Sequence, residues 1–190
     1  MAIMLLIQSV SAQLMYRSRY KSAILVEGFG LSPIMSINYE MAPLRYHKSY
    51  VSGRIGLGYL PATRGNGAGI SFPVGASYNM LINNLKKGIS SRVMNKCRSK
   101  PPKFDLEYFV EVGAGYSWVV YPSGPDRNYF NVLAALKTQL LIDIPPKPKV
   151  IQLKISVNPR IDKDKGLIFY ESSSLGGQNF YGGFAIGFSI

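Results

Sequence analysis

The sequence predicts an all-β chain, a closed antiparallel up-and-down transmembrane β-barrel of about eight strands. Three observations lead there. Apolar residues recur with period two through segment after segment, and no long segment keeps a 3.6-residue period. The two faces made by that alternation are inverted relative to a soluble protein, because the mixed charges share their face with small residues while the other face is almost purely apolar. Clusters of Gly and Pro divide the segments at spacings that leave strands of near ten residues, the length of a tilted membrane-crossing strand.

In chain order, Ser22 to Gly28 is expected as the first strand and Ile34 to Met41 as the second, with Met35, Ile37 and Tyr39 opposed to Ser36, Asn38 and Glu40. The third runs from Arg54 to Leu60, where Ile55, Leu57 and Tyr59 oppose Arg54, Gly56 and Gly58. Gly69 to Leu81 is the fourth. The clearest alternation, Phe109 to Tyr121, is the fifth: Val110, Val112, Ala114, Tyr116 and Trp118 oppose Glu111, Gly113, Gly115 and Ser117. Asn128 to Leu141 and Val150 to Asn158 are the sixth and seventh, the latter setting Ile151, Leu153 and Ile155 against Gln152, Lys154 and Ser156. Gly183 to Ile190 closes the set with Phe184, Ile186 and Phe188 on one face. Breakers lie at Gly28 to Pro33, Pro61 to Gly67, Pro101-Pro102, Pro122 to Pro125 and Pro145 to Pro148.

The face that carries small residues also carries Glu27, Glu40, Arg54, Glu111, Lys137 and Lys154, with Asn38, Gln139 and Gln152. Charges of both signs inside a narrow barrel can pair, which offsets the desolvation each would suffer alone. These six are the expected lumen network, with a stabilising role. An open sheet in lipid would leave edge amides unsatisfied at several kcal/mol each, so the sheet is expected to close.

Composition agrees. Nineteen Gly, 13 Tyr and 9 Phe among 190 residues, with 17% charged, suit a sharply curved sheet that meets an amphipathic interface. A mean hydropathy of +0.06 is too low for a bundle of membrane helices and fits strands that alternate. The net charge of +12 gathers between the apolar segments, at Arg17 to Lys21, Arg45 to Lys48, Lys86 to Lys103, Lys147 to Lys149 and Arg160 to Lys165. Loops that flank a bilayer hold such charge because anionic head groups attract it by about 1 kcal/mol per residue. With no recognition helix and no RNA-binding aromatic motif, no nucleic-acid partner is expected. The apolar run Ala2 to Val10, followed by Val10-Ser11-Ala12 before Gln13, reads as a signal peptide over residues 1–12, although no Lys or Arg precedes it; the alternative is a buried strand. The barrel domain is then 13–190.

On Ile37-Asn38-Tyr39-Glu40, Arg54-Ile55-Gly56-Leu57-Gly58-Tyr59-Leu60-Pro61, Phe72-Pro73-Val74, Phe109-Val110-Glu111-Val112-Gly113-Ala114-Gly115 and Gly183-Phe184-Ala185-Ile186-Gly187-Phe188-Ser189-Ile190, the chain resembles the small eight-stranded outer-membrane β-barrel proteins common in Bacteroidota. In architecture it is more distantly similar to OmpA-like and OmpX-like barrels. The likeness covers the chain from about Ser22 onward. It implies an outer-membrane location, contact with lipid and lipopolysaccharide, and assembly by the barrel-assembly machinery. Such barrels usually end on an aromatic residue; here Phe188 precedes Ile190 by two positions, and the connection from Asn83 to Lys103 is long for a periplasmic turn.

Chemistry-bearing motifs are sparse. The single histidine, His47, stands in Arg45-Tyr46-His47-Lys48 with no nucleophile motif beside it, and the single cysteine, Cys97, lies in a basic polar stretch. Asp162, Asp164 and Glu171 could be imagined around calcium, but Lys163 and Lys165 interleave them, so no metal site and no cofactor are expected. Gly56-Leu57-Gly58 and Gly113-Ala114-Gly115 fall inside strands and lack the strand-to-helix context of a nucleotide loop. No catalytic residue is expected, and the role expected is structural, adhesive or envelope interaction. The alternatives are a narrow passive channel, a lipid-modifying barrel enzyme and, last, a soluble eight-stranded carrier. Connections Gly28 to Pro33, Pro61 to Gly69, Tyr121 to Asn128 and Pro159 to Asn179 should face outward. The last, with Phe169 and Tyr170, is the expected partner contact.

Overall fold

The structure is a computed structural model that describes residues 21–46, 49–62, 68–82, 104–122, 126–142, 149–162, 166–168, 170–172, 178–180 and 182–190. The expected signal segment 1–12, His47, Cys97 and the 83–103 connection lie outside them. Among the described residues there is no helix. Eight long strands form the wall: β1 (Ser22–Gly28), β2 (Met35–Arg45), β3 (Ser49–Leu60), β4 (Gly69–Leu81), β5 (Phe104–Val120), β6 (Arg127–Ile142), β7 (Lys149–Val157) and β12 (Gly182–Ser189). Each pairs antiparallel with its sequence neighbour in the wall, β12 returns to β1, and the β5–β6 pairing completes the ring. The result is a closed eight-stranded up-and-down barrel with no free edge in its wall.

Closure follows from the register. β4 and β5 are paired over their whole common length, from Ile70 opposite Val120 to Leu81 opposite Phe109. β5 and β6 are paired from Phe104 opposite Ile142 to Val119 opposite Arg127. The β3–β4 ladder breaks between Ile55–Val74 and Gly58–Ser71, beside Pro73, which has no N–H to donate. Pro43 stands within the irregularity between Met41 and Leu44, where the β2–β3 register shifts.

Three strands run several residues beyond their sequence bounds. β2 continues to Arg45 and β3 starts at Ser49, so residues that look like a connection are wall. β5 starts at Phe104. The segment from Pro159 to Asn179, expected as a loop, contains short strands. β8 (Arg160–Asp162) runs along β6 past the end of β7, β9 (Gly166–Ile168) pairs back on it, and β10 (Tyr170–Ser172) pairs with β11 (Gln178–Phe180). β6 is long enough to offer free backbone beyond β7, with Asn131 opposite Arg160, and this continues the ladder above the rim.

The alternation is realised with apolar side chains outside. Ile37, Ile55, Val112, Leu136, Leu153, Phe184 and Phe188 all point away from the lumen, and Ile155 is 73% exposed. On this outer surface the strand interiors carry no charge among the described residues; Lys149 lies at the end where the termini are, and Arg45, opposite inward Tyr50 after the β2 register shift, is on the lumen side there.

Candidate functional site

Among the described residues, the lumen is where the fold gathers charge, and it is layered. Glu27 comes from β1, Glu40 from β2, Arg54 from β3, Glu111 from β5, Lys137 from β6 and Lys154 from β7. All six face inward and all are buried. Three carboxylates meet three cations, so the cluster is neutral.

Arg54 is its centre. Its Nη1 donates to Glu27 Oε1 at 3.3 Å, and its Nη2 donates to Glu40 Oε2 at 3.3 Å and Glu111 Oε1 at 2.5 Å. A planar guanidinium with five donors in a fixed fork can serve three acids at once. Lys137 Nζ donates to Glu40 Oε1 at 2.9 Å and lies 3.4 Å from Glu111 Oε2. Lys154 Nζ is 3.4 Å from Glu27 Oε1 and 3.9 Å from Glu111 Oε1, within ion-pair reach of both. Neutral donors complete the acids, with Ser77 Oγ on Glu111 Oε1 at 2.7 Å and Asn38 Nδ2 on Glu27 Oε2 at 3.1 Å.

Below the cluster, toward the termini, lies an apolar floor that the sequence did not reveal. Tyr50 and Phe109 are fully buried with their rings edge to face at 5.4 Å, packed among Ala23, Leu25, Ala42, Leu141, Val150 and Ala185. Tyr50 also joins floor to cluster, because its hydroxyl accepts from Lys137 Nζ at 3.3 Å and from Gln139 Nε2 at 2.8 Å. The signal was present: Tyr50, Ser52 and Arg54 keep one parity, with Val51 and Gly53 on the other. The basic run from Arg45 to Lys48 disguised it.

Above the cluster sits a cap. The connection from Phe29 to Ile34, expected to face outward, is at the loop end of the barrel but folds into the mouth, and Leu31 and Ser32 are both about 1% exposed. Phe29 N–H donates to Ile34 O at 2.7 Å, and Phe29 takes the left-handed backbone conformation at φ 54° to make the reversal. The physical cause is a hollow in the opposite wall. Gly75 on β4 and Gly115 on β5 are register partners, and Leu31 fills the space their missing side chains leave. Ser117 Oγ donates to Leu31 O, Ser32 and Ser71 hydroxyls bond at 2.7 Å, and Asn158 Nδ2 reaches Phe29 O at 3.5 Å.

A Cβ at position 115 would stand 2.4 Å from Leu31 Cδ2, closer than packed carbons tolerate. Gly115→Val is therefore expected to displace the cap while leaving the wall paired. The check is protease cleavage at 29–34 in the folded protein, which should become fast in the variant and stay slow in the parent.

Chemically, the cluster can neutralise and brace the wall from within, linking four strands through Arg54 and its acids. Among the described residues, no group of three His, Cys, Asp or Glu side chains is placed to hold a metal ion. Compared with family models, with curated proteins and with solved structures, the chain matches none.

Proposed function

We propose that the chain is an integral outer-membrane barrel whose lumen is filled by side chains, with a structural, adhesive or envelope-interaction role. The observation that carries this reading is the outer surface. Each of the eight wall strands presents large apolar side chains outward, and among the described residues that belt is uncharged until Lys149 at the terminus end. Monomeric soluble proteins seldom expose contiguous apolar patches beyond a few hundred Å². A belt encircling the whole molecule suits acyl chains, and the closed ladder meets the demand of hydrocarbon that no edge amide be left open.

On this reading the end bearing Lys21, Arg45 and Lys149 faces the periplasm, and the end bearing the Leu31 cap and β8 to β11 faces out. Outer-membrane lipid and lipopolysaccharide are the contacts of the belt, the barrel-assembly machinery is the partner in insertion, and segment 159–179 is the surface for an extracellular partner. The filled cap, cluster and floor favour a bracing role over passage of solutes.

Fractionation tests it. The protein should stay with the membrane through high-salt and alkaline washes and come into solution only with detergent. Unboiled, it should run faster on a denaturing gel than boiled, as closed barrels resist unfolding in the detergent. A monodisperse monomer in buffer without detergent would overturn the proposal.

A further inference from the structure

We infer that the lumen holds a fixed cluster of water molecules, sealed between the Leu31 cap and the Tyr50–Phe109 floor and bound by Gln152, Lys154, Asn79 and Glu111. Gln152 is fully buried, yet neither its amide nitrogen nor its amide oxygen has a partner. Lys154 Nζ, two residues on and on the same inward face of β7, donates no hydrogen bond. Across the lumen, Asn79 on β4 and Glu111 on β5 are register partners, and Asn79 Oδ1 and Glu111 Oε2 are likewise buried and accept no hydrogen bond, Glu111 Oε2 having only the Lys137 ammonium at 3.4 Å. The 3.9 Å separation of Lys154 Nζ from Glu111 Oε1 brings the two strands β7 and β5 together across the lumen, with Gln152 beside Lys154 on one and Asn79 opposite Glu111 on the other.

Native proteins satisfy the great majority of buried polar groups, and internal water is the usual means where side chains cannot reach one another. The chemistry of the unpaired atoms identifies the occupant. They comprise two donors, Gln152 Nε2 and Lys154 Nζ, and three acceptors, Gln152 Oε1, Asn79 Oδ1 and Glu111 Oε2. A cation would serve the acceptors alone and would meet Lys137, Lys154 and Arg54; an anion would serve the donors alone and would meet three glutamates. Water donates and accepts, and a buried water making about three hydrogen bonds fits this mixed lining. The inference concerns the interior and does not depend on what surrounds the barrel. It also separates a hydrated lumen from a conducting one, because cap and floor close the chamber at both ends.

The test uses the full chain folded in detergent micelles and labelled with 15N-glutamine, which limits the side-chain amide signals to five residues. Water-selective NOE and ROE spectra should show cross-peaks of opposite sign to the Gln152 amide protons, the signature of held water. Gln152→Met assigns these signals by removing them, and Gln139→Met, at a residue already bonded to Tyr50, should leave the Gln152 cross-peaks in place. Should either variant not fold, a high-resolution crystal structure of the parent decides the matter by density within hydrogen-bond distance of Gln152 and Lys154. A folded parent without these cross-peaks, or without that density, overturns the inference. So does a Gln152 signal that shifts when sodium is replaced by choline, which would mark the occupant as a cation.

Discussion

Replacing Arg54 with methionine is expected to be the most damaging single change in the lumen, costing about 3–5 kcal/mol as breaking a buried ion pair does. Among the described residues, Arg54 is the only cation in contact with Glu27, Glu40 and Glu111 together. Its loss leaves three buried carboxylates facing two lysines, with nothing to hold the acids apart. The measurement is the urea midpoint of the folded barrel in detergent or vesicles. The geometry also ranks the cations. Lys137 bonds one acid at 2.9 Å and lies near a second, so Lys137→Met should cost less than Arg54→Met. Lys154 approaches its acids only at 3.4 and 3.9 Å, so Lys154→Met should cost least. Adding Glu111→Gln to Arg54→Met should recover part of the loss, since residues in one network do not add. Equal losses from Arg54→Met and Lys154→Met would contradict the central place given to the guanidinium.

That ranking could not have been read from the sequence, although the six residues themselves could be named from it. Period two gives the face of every residue in a regular strand, so Glu111 between Val110 and Val112, or Lys154 between Leu153 and Ile155, declares its direction by its neighbours. It does not give height in the barrel, which depends on the tilt and stagger of strands far apart in the chain. Which acid meets which cation is therefore a tertiary fact. Arg54 and Glu111 are 57 residues apart and Lys137 and Glu40 are 97 apart.

The cap shows a different limit. Gly28 to Pro33 has the composition of a turn, and local chemistry says only that the chain reverses there. That Leu31 enters the lumen is decided by Gly75 and Gly115, which appear in sequence as two unrelated strand glycines and become one hollow through register. β8 to β11 were obscured for a related reason. Asp162 to Lys165 and Ser172 to Leu175 read as loop composition, whereas the pairing partner of β8 is the protruding length of β6. Inward Tyr50 was lost where the alternation ran into charge at Arg45 to Lys48.

The second large effect concerns the outside, where the same substitution has opposite expectations in two solvents. Ile155 lies mid-strand on β7 and is 73% exposed, with Leu136 its register partner on β6 and Phe184 its partner on β12. Were water outside, Ile155→Arg would remove apolar surface from solvent at a position without packing, and its effect would fall within about 0.5 kcal/mol of zero. Against acyl chains the arginine must bring charge into hydrocarbon, at about 2–4 kcal/mol near the midplane of a barrel and about 0–1 near its interfaces. Pro43, outward on β2 close to Arg45 at the terminus end, supplies the interfacial control. Refolding into vesicles should therefore show Ile155→Arg strongly destabilised and Pro43→Arg nearly unaffected. The depth dependence is what discriminates, because a general intolerance of arginine would weaken both variants alike. If Ile155→Arg folds in vesicles as well as the parent, the belt does not face lipid.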